Sequence, residues 1–323
     1  MKFVAALALA ATFAASSCGS FRWSTAIALE AVTSLGQDRL IAVGSSEDIS
    51  AGAPTSGVVA RSDDGGRNWT VAYPDLAALT YVAAAGDRII VSRYCLASTA
   101  GGQDVGRTPS TCLFASDDGG HTWRDLGAGR LVDPTFADAS YGWAHDQIPA
   151  GTELDETLDG GNSWTALDSG CPPDKPRIYR AVVTGRQEGY LICFAEPTDA
   201  GQPWALVRRT ASGQGNVLLE GDSSWGTSTK GLADEYVRGF TIRPDGLGLL
   251  WTDGLYSTSD GGQAWTPVAV PVTIDDYSGG IFQGGGAVVG TDHAYLVRRG
   301  SKSSVVEYLA GTFTTLVEWP YPL

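Results

Sequence analysis

The sequence predicts an all-β protein assembled from repeats, and three observations carry that prediction. Its 323 residues include 42 glycines, 10 tryptophans and 12 tyrosines beside one methionine, a composition suited to many tight turns joining strands that bear aromatic side chains. One ten-residue stretch occurs four times: RSDDGGRNWT at Arg61–Thr70, ASDDGGHTWR at Ala115–Arg124, ETLDGGNSWT at Glu156–Thr165 and STSDGGQAWT at Ser257–Thr266. Consecutive tryptophans of these copies lie 54, 41 and 101 residues apart. Repeats of about 40–50 residues are the length of a four-stranded propeller blade, and the last interval leaves room for a further copy.

In chain order, Lys2 precedes an apolar run, Phe3–Ala14, that ends in the small residues Ala15-Ser16-Ser17-Cys18-Gly19-Ser20. This is the layout of a secretory signal, and the run is shorter than the roughly 20 residues of a membrane span. Residues 1–17 are therefore assigned to a signal peptide and residues 18–323 to one propeller domain. Ala15-Ser16-Ser17-Cys18 resembles a bacterial lipobox, with Ala where Leu is preferred. The resemblance implies a lipid on Cys18 and a membrane-anchored protein of the cell envelope; ordinary cleavage would instead leave a soluble secreted chain.

Blade one is read through Glu30–Gly36, Arg39–Gly44, Val58–Ser62 and Trp69–Tyr73. In blade two the second strand, DRIIVS at Asp87–Ser92, parallels DRLIAV at Asp38–Val43. The missing copy is assigned to LVRRTASGQG at Leu206–Gly215, which lacks the Asp and Trp, and its echo LVRRGSKSSV at Leu296–Val305 is taken as a sixth, decayed repeat. Phe21–Ala28 and Thr312–Trp319 remain as extra strand-like segments, available to close the ring by pairing or to form a seventh blade. Six blades are expected, with seven as the alternative.

Export gives the remaining cysteines a reading. Cys95, Cys112, Cys171 and Cys193 are even in number, and sequence-local pairing gives Cys95–Cys112 and Cys171–Cys193, one of three possible connectivities. Zinc ligation needs close CxxC-type spacing or histidine partners. His121, His145 and His293 are scattered, so each is read as an exposed or core-satisfied histidine; no metal site and no cofactor are expected.

The four copies reduce to Ser/Thr-x-Asp-x-Gly-x-x-Trp: Ser62, Asp64, Gly66 and Trp69; Ser116, Asp118, Gly120 and Trp123; Thr157, Asp159, Gly161 and Trp164; Thr258, Asp260, Gly262 and Trp265. Each fits a β-hairpin in which the glycines supply positive φ, the Asp accepts turn N–H groups and the Trp enters the core. Nothing in the pattern activates a nucleophile or moves a proton, so the copies read as structural staples. Calcium ligation is the functional rival, but the copies lack the dense alternating carboxylates of a calcium loop. The pattern resembles the Asp-box, or BNR, repeat of sialidases, sortilin-type receptors, some glycan hydrolases and photosystem II assembly factors. The resemblance implies a β-propeller in which each box forms the turn between the third and fourth strands of a blade.

A net charge of −14 and a pI near 4.5 oppose binding to nucleic acid through a general electrostatic field. In an up-and-down blade the first–second and third–fourth turns share one face, so the boxes mark that face and a ligand site belongs on the other. The loops expected there are Pro172–Arg180, Asp222–Arg238, Val272–Tyr277 and the excursions Ser45–Ser56 and Leu96–Ser110. They offer Arg177, Tyr179, Trp225, Tyr236, Asp275, Asp276 and Tyr277 as binding candidates, a mixture suited to a sugar or polar peptide. A sialidase would need an arginine cluster, a tyrosine nucleophile with a glutamate partner, and an acid. The family's Arg-Ile-Pro element is missing before the first box, and no HExxH, GxSxG or GxxxxGK[ST] is present, so no catalytic residue is assigned. The sequence-level expectation is an exported, lipid-anchored, monomeric and non-catalytic propeller that binds a protein or glycan on its box-free face. The alternative is a sialidase-like glycoside hydrolase or lyase.

Overall fold

The computed structural model describes residues 25–36, 38–48, 53–72, 74, 78–96, 109–146, 151–198, 201–224, 232, 237–252, 254–269, 286–290, 293–299 and 302–320. These form six four-stranded antiparallel sheets, each built from consecutive chain. Blade 1 holds β1 (Thr25–Gly36), β2 (Arg39–Asp48), β3 (Ala53–Ser62) and β4 (Thr70–Ala72); blade 2 holds β5 (Leu79–Ala85), β6 (Arg88–Leu96), β7 (Pro109–Ser116) and β8 (Arg124–Gly129). Blade 3 holds β9 (Leu131–Phe136), β10 (Gly142–Asp146), β11 (Leu154–Thr157) and β12 (Thr165–Leu167); blade 4 holds β13 (Arg177–Gly185), β14 (Glu188–Phe194), β15 (Gly201–Arg209) and β16 (Gly215–Ser224). Blade 5 holds β17 (Gly239–Ile242), β18 (Gly248–Trp251), β19 (Leu255–Thr258) and β20 (Thr266–Pro267); blade 6 holds β21 (Ala287–Gly290), β22 (His293–Arg299), β23 (Lys302–Leu309) and β24 (Thr312–Pro320). The first strands β1, β5, β9, β13, β17 and β21 touch in that order, and β21 touches β1, so the ring closes around them. This is a six-bladed β-propeller.

The core lies between blades, because each sheet carries apolar side chains on both faces and water is excluded only where two sheets meet. Six buried clusters occupy the six junctions. At the junction of blades 6 and 1, for example, Ile27, Leu29 and Val58 meet Tyr295, Val297 and Trp319. Each Val, Leu or Ile so buried contributes about 1.5–3 kcal/mol relative to exposure. The junction of blades 2 and 3 has the smallest cluster, centred on Ile90, Leu113 and Ala115.

Several expectations require correction. Thr312–Pro320 is the fourth strand of blade 6 and Thr25–Ala28 belongs to β1, so these segments neither pair with one another nor build a seventh blade. The seam between blades 6 and 1 is held by side chains: the Leu29 N–H donates to Ser303 Oγ at 2.8 Å, and Trp69 meets Trp319 edge-on at 6.2 Å. The LVRR echo misplaces a strand, since Leu206–Arg209 lies in β15, a third strand, whereas Leu296–Arg299 lies in β22, a second strand. The third–fourth turn of blade 6 is instead Ala310-Gly311, both at positive φ. Ser45–Ser56 is no simple loop, for β2 and β3 keep pairing out to Asp48 and Ala53.

Candidate functional site

Two kinds of feature compete for a functional role, the repeated boxes and the central axis. In each box the Ser or Thr hydroxyl is buried: Ser62 is 2%, Ser116 1%, Thr157 1% and Thr258 6% exposed. That oxygen accepts the N–H of the second glycine at 2.8, 2.7, 2.8 and 3.0 Å in chain order, and donates to the Asp Oδ1 at 2.9, 2.8, 2.9 and 2.8 Å. The same Oδ1 accepts the N–H of Asn68, Thr122, Ser163 or Ala264. Hydrogen bonds to the ionised form hold these carboxyls low. The Asn68 side chain and N–H draw Asp64 down to about 2, and the Ser163 hydroxyl and N–H draw Asp159 to about 2. Thr122 pulls Asp118 well below the usual range, and the Ala264 N–H lowers Asp260.

Each box also fastens one blade to the preceding one. Gly66 has φ +86°, and a Cβ there would lie 2.3 Å from Leu316 Cδ1 of blade 6. Gly120 faces Ile41 of blade 1, Gly161 faces Ile90 of blade 2 and Gly262 faces Leu206 of blade 4. The tryptophans do not reach the middle of the core as expected. They sit half-buried at its edge, where Trp69, Trp164 and Trp265 donate Nε1–H to the carbonyl of the second glycine at 2.9, 3.2 and 3.1 Å. Among the described residues the fully buried tryptophans are Trp143, Trp204 and Trp251. Blade 4 has no box; there Arg209 bonds the Asp168 carbonyl at 2.6 Å and lies 5.8 Å from the Trp143 ring centre.

The boxes also locate the two faces. Gly65 N–H bonds the Asp38 carbonyl, Gly119 that of Asp87, Gly160 that of Ser140 and Gly261 that of Gly246. Every box therefore rests on its own blade's first–second turn, and the first strands begin at the opposite, box-free face. On the axis a cavity of about 300 Å³ is lined by all six first strands. It runs from Tyr81 and Arg180, nearer the box-free end of their strands, to Ser34, Arg243 and Pro244 at the box end. Between these ends the lining includes Val82, Val183 and Ile242, whose side chains belong to the junction cores, and the threonines Thr33, Thr135 and Thr241.

Arg180 is the unusual member of this lining. Only 8% exposed, it crosses from blade 4 past blade 3 so that its guanidinium carbon lies 5.0 Å from the Tyr81 ring centre in blade 2. Its Nη2 is 3.5 Å from Asp133 Oδ2 and the Tyr81 side chain also bonds the guanidinium, whereas the enclosed Nε and Nη1 have no acceptor among the described residues. Asp133 stands at a β-bulge in β9 with φ +48°. Burial opposes the Arg180 charge, but Asp133 and the neighbouring tyrosines outweigh it, so the guanidinium stays fully protonated. Burial also raises the Tyr81 phenol. His145, 4% exposed at the end of β10, donates Nδ1–H to the Asp146 carbonyl at 3.1 Å and leaves Nε2 without a partner among the described residues. Burial pushes its imidazole down, against the pull of Asp133. Beside it the buried Asp155 carboxylate lies 3.3 Å from Arg130 Nη2, and burial pushes Asp146 and Asp155 up.

Of the residues singled out from sequence, Arg177 and Tyr179 both lie at the box-free start of β13. Arg177 Nε bonds Glu196 Oε1 at 2.9 Å; Tyr179, bulged out of register, packs edge-on to Phe194 at 5.3 Å and donates to the Arg238 carbonyl at 3.4 Å. Trp225, Tyr236, Asp275, Asp276, Tyr277 and Cys18 lie outside the described residues. Cys171 and Cys193 form a disulfide, and Cys112 is disulfide-bonded, with Cys95 two residues from the position facing it on β6. Among the described residues no three His, Cys, Asp or Glu side chains cluster as a metal site. Sequence reasoning missed Arg180, Tyr81, Asp133 and His145. The one signal, and for Asp133 alone, is Asp133-Pro134 inside a strand, where proline interrupts pairing and marks a bulge.

No protein-family model and no curated protein matches the chain. Solved structures match in fold. The Penicillium chrysogenum α-L-arabinanase complexed with arabinobiose is 14% identical, with TM-score 0.55 over 89% of this chain and 93% of its own. The β-propeller domain of the Trilobed protease from Pyrococcus furiosus, described by its open velcro topology, is 10% identical, with TM-score 0.53 over 91% and 99%. YCF48 from Cyanidioschyzon merolae is 13% identical, with TM-score 0.46 over 92% and 96%.

Proposed function

We propose that this chain is an exported, lipid-anchored, non-catalytic propeller that binds a protein or glycan through its box-free face and axial cavity. The observation that carries the reading is the cavity itself. All six blades contribute to it and it holds a buried guanidinium, yet among the described residues its lining contains no carboxylate. Paired catalytic carboxylates, or a tyrosine with a facing glutamate, would have to stand there for glycoside hydrolysis. The Cys171–Cys193 disulfide supports an oxidising compartment.

The anchor and the site are linked by geometry. β1 starts at the box-free face, and the seven residue steps from Cys18 to Thr25 span at most about 25 Å. Lipid on Cys18 thus holds the box-free face toward the membrane, so the ligand is met in the narrow space above it. Converting Cys18 to Ser and fractionating cells tests the tether; unchanged membrane association refutes it. A photo-crosslinking side chain at position 177 is expected to capture the ligand, and one at position 122, on the box face, is not. Capture from 122 alone, or turnover of aryl glycosides by the purified protein, overturns the reading.

A further inference from the structure

The polar groups at the box-free end of the axial cavity carry the inference, which rests on the reading that this cavity and face are the ligand site. Arg180 starts in blade 4, passes blade 3 and ends 5.0 Å from the centre of the Tyr81 ring in blade 2. Asp133 lies 3.5 Å from its Nη2, and the Tyr81 side chain bonds it as well. One side chain thus straps together the neighbouring first strands β5, β9 and β13 where they line the cavity. His145 stands beside the anchor of that strap. It pairs with Val132 at the bulge that carries Asp133, is 4% exposed, and keeps an enclosed Nε2 with no partner among the described residues.

The charges around His145 decide what a proton there would do. It faces the Asp133 carboxylate of β9, the Arg180 guanidinium of β13, and Asp146 of its own strand. On the β11 side, Asp155 is turned to Arg130 at 3.3 Å, and Glu153 pairs with Arg130 too. Arg177, at the start of β13, is paired with Glu196. A neutral His145 leaves Asp133 to Arg180 alone, whereas an imidazolium sets a second buried cation on the same carboxylate and repels the guanidinium. Burial holds this imidazole below its ordinary 6.5, so the closed arrangement resists the proton. An arrangement in which His145 reaches water takes the proton at the ordinary value, and falling pH shifts the balance toward it.

We propose that Arg180, Tyr81, Asp133 and His145 form an acid-sensitive lock on the axial cavity, closed while His145 is neutral and released when its Nε2 takes a proton from solvent. Release turns His145 and Arg180 toward water and loosens blades 2, 3 and 4 at the box-free end. The ligand is then held at neutral pH and exchanged in mild acid.

The test reads the Arg180 Nε–H of the whole protein by NMR. Its protection factor is the hydrogen-exchange rate of free arginine divided by that of Arg180 at the same pH. In wild type the factor is expected to fall at least about tenfold from pH 7.5 to pH 5, within the roughly thirtyfold that one histidine titrating at 6.5 when open supplies. His145→Asn, which keeps a donor for the Asp146 carbonyl and takes up no proton, should hold the factor level over that range. Asp133→Asn, whose new side chain tolerates the positive φ of the position, removes the anchor and should lower the factor already at pH 7.5. Both variants should keep the wild-type circular dichroism. Low urea separates the lock from unfolding of the whole chain: the amide of Ile41, in a strand paired on both sides, loses protection as urea is added, and Arg180 should not. A wild-type factor that stays level with pH, a fall that persists in His145→Asn, an Asp133→Asn protein as protected as wild type, or Arg180 and Ile41 falling together with urea overturns the inference. None of these readings needs a ligand. Failure of capture from position 177 at both pH values would remove the ligand-site reading and not the lock, so the two failures are distinguishable.

Discussion

Ser116→Ala probes what the boxes are for, because the hydroxyl it removes is the node of the motif. Ser116 Oγ accepts the Gly120 N–H at 2.7 Å and donates to Asp118 Oδ1 at 2.8 Å, with 1% of the residue exposed. Alanine leaves the Gly120 N–H without an acceptor, since Oγ is its turn partner and Ile41 of blade 1 closes the other side. An orphaned buried donor costs about 1–3 kcal/mol. At about 2–4 °C per kcal/mol for a domain somewhat smaller than this one, the melting temperature falls by a few degrees. Thr157 and Thr258 hold the same place in their boxes, so Ser116→Thr keeps both bonds and stays within about 1 kcal/mol of wild type. The assay is denaturant and thermal unfolding of the three proteins. Ser116→Ala with unchanged stability, or Ser116→Thr as damaging as alanine, refutes the argument that the hydroxyl holds the turn.

Four further outcomes are expected. Tyr141→Phe strands the buried Trp143 Nε1–H and the Gln187 N–H, both of which donate to the Tyr141 oxygen, at 2.9 and 2.8 Å, and lowers stability by about 1–3 kcal/mol in urea unfolding. Trp69→Ala, which opens the seam against Trp319, costs about 2–4 kcal/mol by the same measurement, and a loss below that of Ser116→Ala would show the seam to be held elsewhere. Replacing both Cys171 and Cys193 by alanine, which opens a bridge with a separation of 22 residues, costs about 3 kcal/mol and is read from thermal melts of the double variant and wild type. Acid melts should show two losses. His145, depressed in the folded state, costs stability as pH falls below its ordinary 6.5, because the unfolded chain takes up that proton first. Asp64 and Asp159, at about 2 when folded against 3.8, stabilise above 3.8 and lose that contribution as pH falls toward 2. Asp64→Asn should shallow the second loss, and an unchanged slope would count against the assignment.

What was legible in the sequence was whatever repeats with a local cause. The boxes could be read because all their bonds close within a few residues, Ser116 to Gly120 and Asp118 to Thr122. Their spacing then led to the blade count. The second decayed copy was misplaced because LVRR records only alternation, which a second strand and a third strand satisfy equally. The box tryptophans looked like core residues, yet the bond from Nε1 to the glycine carbonyl keeps Trp69, Trp164 and Trp265 at the rim. Arg180 could not be read at all. Its partners Tyr81 and Asp133 come from two other blades, and only ring closure brings them together.

Each blade is made of consecutive chain, and the seam between the last and the first is a junction like the other five, closed by side chains and not by a shared strand. The circle consequently has no intrinsic beginning. A gene permuted to open between any two blades, with the present ends spliced, would encode the same six sheets and the same axial cavity. Where the chain starts decides only which blade is counted first. Because every first strand starts at the same face, any such permutation would bring the new N-terminus out at that face, so the face from which the chain enters belongs to the architecture of the ring and not to the place where it happens to be cut.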